Sequence, residues 1–162
     1  MKKMLKNQKG FSLVELLIVI AIMGVLAAVA FSMFAGVLSN SKRRADERTA
    51  DQIAKALTAY MVDSGDSELK AFSSKDSKII ITELQKEIKY TPTGSTTEKS
   101  YGPYLTPKEG SDASYDNFAP QYDKHKGYSI TYYPRLLKAD VEAVEDTPTV
   151  ASGESSGESS GE

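Results

Sequence analysis

The chain contains no cysteine, no tryptophan and a single histidine, His125. Without thiols it can form no disulfide, no cysteine-ligated zinc site and no cysteine nucleophile, and its redox compartment stays open. It also has no glycine-rich phosphate loop and no HExxH motif. Since His125 lies in the polar stretch QYDKHKGY, we expect a surface residue rather than a ligand or a base. These absences argue against an enzyme.

Charged residues are distributed very unevenly along the chain. The net charge is -2, so bulk charge does not point to a nucleic-acid partner. Residues 1–10, MKKMLKNQKG, hold four lysines and no acid, whereas residues 11–38 hold one charge, Glu15. The remainder is polar, with charges of both signs. This pattern indicates a basic leader peptide, an apolar segment and a water-exposed region.

The apolar segment is longer than a membrane crossing needs. Residues 16–31, LLIVIAIMGVLAAVAF, contain no charged or strongly polar residue, and the apolar character continues to Leu38. As a helix, residues 11–38 would be ~42 Å long, against a hydrocarbon core of ~30 Å. We therefore expect this segment to tilt in a bilayer or to be partly buried against protein.

The helical pattern continues beyond the apolar segment. Residues 39–62 contain no proline or glycine, and their apolar residues fall at helical spacing on one face. That face consists of Ala50, Ile53, Ala54, Leu57, Tyr60 and Met61. Asp46 and the neighbouring charged residues are mostly directed elsewhere. The spacing predicts one helix over residues 11–62, which Gly65 in DSGDS ends.

A small α+β head is predicted after the long helix. Residues 77–90 indicate a short strand or turn followed by a short helix, with Thr82 and Gln85 at capping-box spacing. Residues 126–134, KGYSITYYP, are β-prone and end in a proline, which predicts a strand. Residues 135–145 fit either a helix or the hairpin partner of that strand.

The predicted head spans residues 63–150. It contains long loops, and a tail follows it. Residues 91–120 are rich in proline, glycine, serine and threonine and are expected to be loop-like. The repeat SGESSGESSGE ends the chain. It cannot bury apolar surface, so residues 151–162 are expected to be a disordered tail or spacer.

Three loop carboxylates are candidates for a calcium site. Asp112, Asp116 and Asp123 lie near one another in the sequence, and calcium prefers oxygen ligands of this kind. Their spacing does not match an EF-hand, so a solvated acidic loop is the favoured interpretation. We therefore expect no cofactor.

The basic start and the apolar segment allow three interpretations. In the first, a secretory signal peptide is cut after residues 28–30, AVA, and releases a chain that begins at Phe31. Glu15 and the continuing apolar pattern disfavour it. In the second, a membrane anchor keeps its lysine-rich end in the cytoplasm. Glu15 then has no partner, although a carboxylate inside a bilayer costs up to ~3 kcal/mol.

The third interpretation supplies a partner for Glu15. Cleavage between Gly10 and Phe11 would give Phe11 a free α-amino group. A carboxylate buried among apolar side chains needs an opposite charge, and the amine of a neighbouring chain is available. Such a pair would favour one axial offset between parallel helices, which would make Glu15 a register device in an assembly.

The residues behind this third interpretation resemble a known signal sequence. A basic leader ending in Lys9-Gly10, followed by FSLVELLIVIAI, resembles the class III signal peptide of type IV pilins and type II secretion pseudopilins. The resemblance covers about residues 1–40. It implies a pilin-like lollipop, whose long helix packs on a small antiparallel β-sheet head. Residues 11–38 would be its transmembrane or filament-core half and residues 39–62 its amphipathic half.

The resemblance also implies a route of assembly. A prepilin peptidase would cleave after Gly10 and methylate the Phe11 amine, while the precursor waits in the bacterial plasma membrane with its head outside or in the periplasm. A platform protein and an assembly ATPase would then move subunits into a homo-oligomeric filament, together with minor pilins. Many pilins have a proline where this chain has Ser32, so helix flexibility would depend on Gly24 and Gly36.

We expect a type IV pilin that builds a surface filament for adhesion, twitching motility or biofilm formation. The alternative is a pseudopilin of a type II secretion or DNA-uptake system, which the stretch YGPYL at residues 101–105 would suit. A secreted or membrane-anchored binding domain is a more distant alternative. No catalytic residue is expected, and nucleic acid is expected as a partner only for a competence pilus.

Overall fold

The computed structural model describes residues 12–153. The predicted leader, Phe11 and residues 154–162 of the predicted tail lie outside these described residues. Within them, the helices, strands and a 3₁₀ turn follow in this order: α1 Leu13–Ser64, α2 Ser77–Glu83, β1 Ile88–Tyr90, β2 Lys99–Tyr101, the 3₁₀ turn Tyr115–Asn117, β3 Gly127–Tyr133, β4 Lys138–Val144 and β5 Val150–Ser152. The predicted α+β class, with a long N-terminal helix followed by a small β-sheet head, is confirmed.

The chain divides into two compact units, and the first ends at Asn40. Its described part contains the start of α1, where Leu16 N donates a hydrogen bond of 3.2 Å to the carbonyl of Ser12. Every residue from Ser12 to Leu38 is exposed. A helix that is apolar on all sides has no polar face to turn to water, so this segment requires surroundings other than water.

The second unit begins at Ser41, and its part of α1 buries one face. The buried residues of α1 recur at helical spacing: Asp46, Ala50, Ile53, Ala56, Leu57, Tyr60, Met61 and Ser64. The helix ends at Ser64, and Gly65 follows with a φ of 70°, a left-handed conformation that suits glycine. The predicted helix end is therefore confirmed, whereas the prediction that Asp46 points away from the core is wrong.

The core of the second unit joins this buried helix face to α2 and the sheets. Strand β3 alternates buried and half-buried residues, so that Tyr128, Ile130 and Tyr132 share the core face. The other core side chains outside α1 are Leu69, Phe72, Ile80, Ile81, Leu84, Ile88, Leu105, Ala139 and Val141. Apolar residues recur at helical spacing in α1 and at alternate positions in β3, so both elements bury one apolar face. This burial explains why the second unit folds around its own core.

The strands form two separate sheets. Strands β1 and β2 pair antiparallel, and β3 lies in the centre of a three-stranded sheet of order β4-β3-β5. The β3–β4 pair is an antiparallel hairpin, so residues 135–145 supply a partner strand and not a helix. Strand β5 pairs parallel to β3, which corrects the prediction of a purely antiparallel sheet. It includes Ala151 and Ser152, so order continues beyond the predicted head boundary at residue 150.

The segment 77–90 contains the predicted elements in the opposite order. Helix α2 comes first and strand β1 last. Asp76 is the N-cap of α2, because its Oδ1 accepts a hydrogen bond of 2.8 Å from Lys78 N. Thr82 lies in the last turn instead and donates its hydroxyl to the carbonyl of Lys78. The predicted capping box from Thr82 to Gln85 is therefore wrong, since an aspartate earlier in the chain caps the helix.

Candidate functional site

Glu15 lies in the first turn of α1, at the third helical position. Its Oε2 accepts a hydrogen bond of 3.0 Å from the backbone N of Ser12, the residue before the helix. This is the carboxylate half of a capping box. It satisfies an amide that the helix leaves without a partner, and it places a negative charge at the positive end of the helix dipole.

This local contact leaves Glu15 able to accept further donors. An ionised carboxylate offers about four lone-pair positions. Within residues 12–153, the Ser12 amide is its one hydrogen-bond donor. The sequence prediction missed the Ser12 contact, although Ser12 and Glu15 stand at the spacing of a capping box.

The apolar part of α1 has the length and composition of a membrane-crossing helix. No residue of its most apolar window is buried within the described chain, and Phe31 is 83% exposed. An apolar surface of this extent marks a site of contact with lipid or with another protein. The candidate functional site is therefore an exposed apolar helix with one carboxylate, Glu15, near its start.

The three predicted points of helix flexibility lie within this exposed segment. Gly24, Ser32 and Gly36 all have helical backbone, and α1 continues through them without a break. A Cβ atom added at Gly24 or Gly36 would meet no atom within 4 Å beyond the adjoining residues and the backbone of its own helix. No close contact within the described chain therefore requires a glycine there, and flexibility at these positions stays a prediction. The predicted cleavage site, Gly10 and Phe11, lies outside the described residues.

The head holds a buried polar cluster that the sequence prediction missed. Asp46 on α1 has a side chain only 1% exposed, and the His125 side chain is 7% exposed. His125 Nδ1 lies 2.7 Å from Asp46 Oδ2. Asp46 also accepts hydrogen bonds from Gln121 N at 2.7 Å and Tyr122 N at 3.0 Å. The prediction that His125 is a surface residue is therefore wrong.

The contacts of Asp46 fix the loop that precedes β3. A buried carboxylate is stable only when hydrogen bonds or an opposite charge replace the water it has lost. Two loop amides and the imidazole do so for Asp46, and the ring of Tyr122 packs edge-on against His125 at 4.9 Å. These contacts give the cluster a structural role in the loop before β3.

The calcium candidates do not come together in the structure. Asp123 Oδ1 lies 3.3 Å from Lys42 Nζ, and Asp116 lies within the 3₁₀ turn, where its backbone N donates to the Ser114 side chain. The Asp112 carbonyl accepts a hydrogen bond from the Asn117 side chain. Over residues 12–153 there is no group of three or more histidine, aspartate or glutamate side chains arranged to hold a metal.

Tyr60 on α1 and Tyr104 after β2 each pair with an aspartate at or just beyond the end of α1. The hydroxyl of the buried Tyr60 donates to Asp66 at 2.8 Å, and burial, followed by this hydrogen bond, raises the pKa of Tyr60 far above its ordinary value. The Tyr104 hydroxyl donates to Asp63 at 3.0 Å. Burial and then this contact raise the pKa of Tyr104 to about 12. Both hydroxyls therefore stay protonated at ordinary pH and stabilise the turn after the helix.

Comparison with known families identifies the N-terminal segment. Residues 5–31 match the prokaryotic N-terminal methylation motif, which is the class III signal-peptide signature of type IV pilins and pseudopilins. The match includes Gly10, Phe11 and Glu15 and extends through most of the apolar segment. No curated protein and no solved structure matches the chain.

The motif indicates the kind of subunit and its processing. It supports a subunit of pilin or pseudopilin type, a class of structural subunits. It implies processing by a prepilin peptidase and assembly into a pilus-like filament. Together with the exposed apolar helix, it indicates a membrane-anchored precursor.

Proposed function

We propose that this chain is a type IV pilin, whose mature form assembles into a helical filament on the bacterial surface. The observation that carries the proposal is Glu15, a single carboxylate at the start of a helix that is apolar and exposed on all sides and that matches the methylation motif. Adhesion, twitching motility and biofilm formation are the functions that such a filament serves.

Glu15 acts in this proposal through the free lone pairs of its carboxylate. Cleavage after Gly10 creates the Phe11 amine, and the amine of a neighbouring subunit binds Glu15 when both enter the apolar filament interior. The ion pair offsets the cost of burying either charge alone. It forms at one axial offset between subunits, so it sets the register of the filament.

The proposed partners follow from this route. A prepilin peptidase processes and methylates the chain, and a membrane platform protein with its ATPase drives assembly. Other copies of the chain and minor pilins then replace lipid around the apolar helix. The head is outside the membrane throughout, and we expect no nucleic acid unless the filament is a competence pilus.

The mature N-terminus tests the processing step. We expect mass spectrometry of chain from the cell envelope to find a protein that begins with N-methylated Phe11. Changing Gly10 to Val should leave the longer precursor in the membrane. A mature chain that begins at Phe31 would instead mean secretion behind an ordinary signal peptide and would overturn the proposal.

Electron microscopy of cells that lack the gene separates a pilin from a pseudopilin. Loss of surface fibres, restored by the wild-type gene, supports the pilin. Intact fibres combined with retained exoproteins or lost DNA uptake would assign the chain to a pseudopilus.

A further inference from the structure

The start of the second unit holds a cluster of four basic residues, of which two are neutralised within the chain. Lys42 Nζ lies 3.3 Å from Asp123 Oδ1, and Arg43 Nε lies 3.4 Å from Glu47 Oε1. Arg44 and Arg48 are exposed, and neither forms an ion pair within residues 12–153. The described chain therefore presents two unpaired guanidinium groups.

These two arginines form one surface. They are four positions apart on α1, so their side chains are neighbours on the helix. Like charges at this spacing destabilise a helix slightly. They also stand opposite the buried helix face that contains Ile53 and Leu57, so the head of the same chain does not cover them. Such a pair is well placed to bind carboxylates of another molecule.

A groove between α1 and β4 offers the complementary charge. It has a volume of about 520 Å³ and is lined by four carboxylates and one guanidinium, together with small apolar side chains. The charged residues are Arg43, Glu47, Asp51, Asp140 and Glu142. Glu47 pairs with Arg43, and Asp140 pairs with Lys138. Asp51 and Glu142 are exposed and have no ion pair across residues 12–153.

We propose that Arg44 and Arg48 of one copy dock in the acidic groove of a second copy, against Asp51 and Glu142. The inference rests on the proposed function and names a contact between the heads of that filament. Guanidinium and carboxylate groups match in both charge and geometry, because the planar fork of arginine can bind two oxygens at once.

The arginine pair and the acidic groove adjoin each other on α1, because Arg48 and Asp51 are three positions apart. Two copies that exchange both contacts would form a closed dimer, whereas copies that make the contact in one direction form a heterologous interface, as a filament requires. A heterologous contact leaves one free surface at each end and builds an open helical array when the rotation does not close. Each added copy therefore presents a new groove or a new arginine pair to the next.

Crosslinking tests the contact directly, since the natural chain has no cysteine. Full-length chains carrying Arg48→Cys and Glu142→Cys would be co-expressed, and isolated filaments treated with a short bismaleimide. A covalent dimer of the two variants is the expected product, and it can form only between different chains. Arg135→Cys replaces Arg48→Cys in the control, because Arg135 is an exposed arginine in the β3–β4 turn. Dimers no more abundant than in this control overturn the contact.

Charge reversal tests whether the contact is needed for assembly. Arg44→Glu with Arg48→Glu should reduce filament abundance at least tenfold, while Arg135→Glu should leave it unchanged. Adding Asp51→Lys and Glu142→Lys to the double variant restores opposite charges between copies, so filaments should recover. Binding of the arginines to anionic lipid headgroups predicts no recovery, and that result overturns the proposal.

The outcomes separate this inference from the proposed function. If wild-type cells make filaments of this chain and the double variant makes as many, the arginine contact is wrong and the pilin assignment stands. If the wild-type chain is cleaved but builds no filament, both proposals fail. Mass spectrometry of each variant confirms that cleavage after Gly10 is unchanged.

Discussion

The two parts of helix α1 differ in which residues they expose and which they bury. From Ser12 to Leu38 every residue is exposed and nearly all are apolar. From Ser41 to Ser64 the helix carries charged residues and buries one face against the head. The described residues of the first part thus have no core of their own, whereas the second part contributes its buried face to the core of the head.

Because of this difference, the two parts of the helix are stabilised by contacts with different surroundings. The second part is stabilised by contacts within the chain, where Leu57, Tyr60 and Met61 are fully buried. The first part has no such contacts in the described chain, so lipid or another protein is needed to cover it. Substitutions in the first part should change assembly and leave the head intact, and substitutions in the second should do the reverse.

The largest effect is expected at Glu15. Glu15→Leu should leave cleavage at Gly10 largely intact but should reduce filament abundance about a hundredfold or more, since an unpaired buried charge costs about 3–5 kcal/mol. Immunoblots of sheared filaments and of whole cells measure assembly and chain level separately. Normal filaments in this variant would show that the pairing argument is wrong.

A matched variant separates charge from capping at the same position. Glu15→Gln keeps an acceptor for the Ser12 amide, because glutamine also serves in a capping box. It removes the negative charge that an amine would need. Filament loss similar to that of the Leu variant assigns the effect to charge, whereas full assembly would assign it to the helix cap.

The sequence predicts the long elements of the fold well and the short ones poorly. The helix and strand β3 follow from strong periodic patterns, and Gly65 marks the helix end. Helix α2 and strand β1 were predicted in reverse order, because short apolar runs fit either conformation. Strand β5 depends on parallel pairing with β3, a non-local contact that three residues cannot signal.

The second prediction concerns Asp46, the first buried residue of α1. Asp46→Ala removes the acceptor of two loop amides and leaves His125 without its partner, so the free energy of unfolding should fall by about 3–5 kcal/mol. Urea unfolding of the full chain in detergent, followed by tyrosine fluorescence, measures it.

The neighbouring Glu47 supplies a control for Asp46. It is exposed and pairs only with Arg43, so Glu47→Ala should change the free energy of unfolding by less than about 1 kcal/mol. Equal effects of the two substitutions would contradict the assignment of Asp46 to the core.

The Asp46–His125 contact shows why the sequence did not predict the buried polar cluster of the head. The two residues are 79 positions apart, and each lies in a polar sequence neighbourhood. Local patterns report which residues are apolar, and they do not report which polar residues will find partners in the folded chain. The Ser12 contact of Glu15 differs, since its spacing is local and a capping-box search would have found it.

The third prediction makes the same substitution in both parts of the helix. Leu57 is 0% exposed and Leu26 is 64% exposed. Leu57→Ala should lower the free energy of unfolding by about 2–5 kcal/mol because it leaves a cavity in the head. Leu26→Ala should change it by about 0.5 kcal/mol or less. The same urea experiment measures both, and equal losses would show that the head depends on the apolar segment.

The smallest effect is confined to alkaline pH and to the contact of Tyr104 with Asp63, in the second part of the helix. The pKa of Tyr104 is raised from 10.0 to about 12, first by burial and then by its hydrogen bond to Asp63. A raised pKa means that the contribution is fully present below about pH 10 and is lost as the pH rises towards 12. The free energy of unfolding should therefore fall between these values.

Tyr104→Phe isolates this alkaline contribution, because phenylalanine keeps the ring and does not ionise. The variant should lose stability less steeply above pH 10 than the wild-type chain. Near-ultraviolet circular dichroism follows the head, and tyrosinate absorbance follows ionisation in the same samples. An unchanged slope would mean that Tyr104 ionises without loss of its contact. If alkaline pH lowered filament abundance without lowering the stability of the head, the pH-sensitive group would lie in the first part of the helix. That result would contradict the assignment of the alkaline effect to Tyr104.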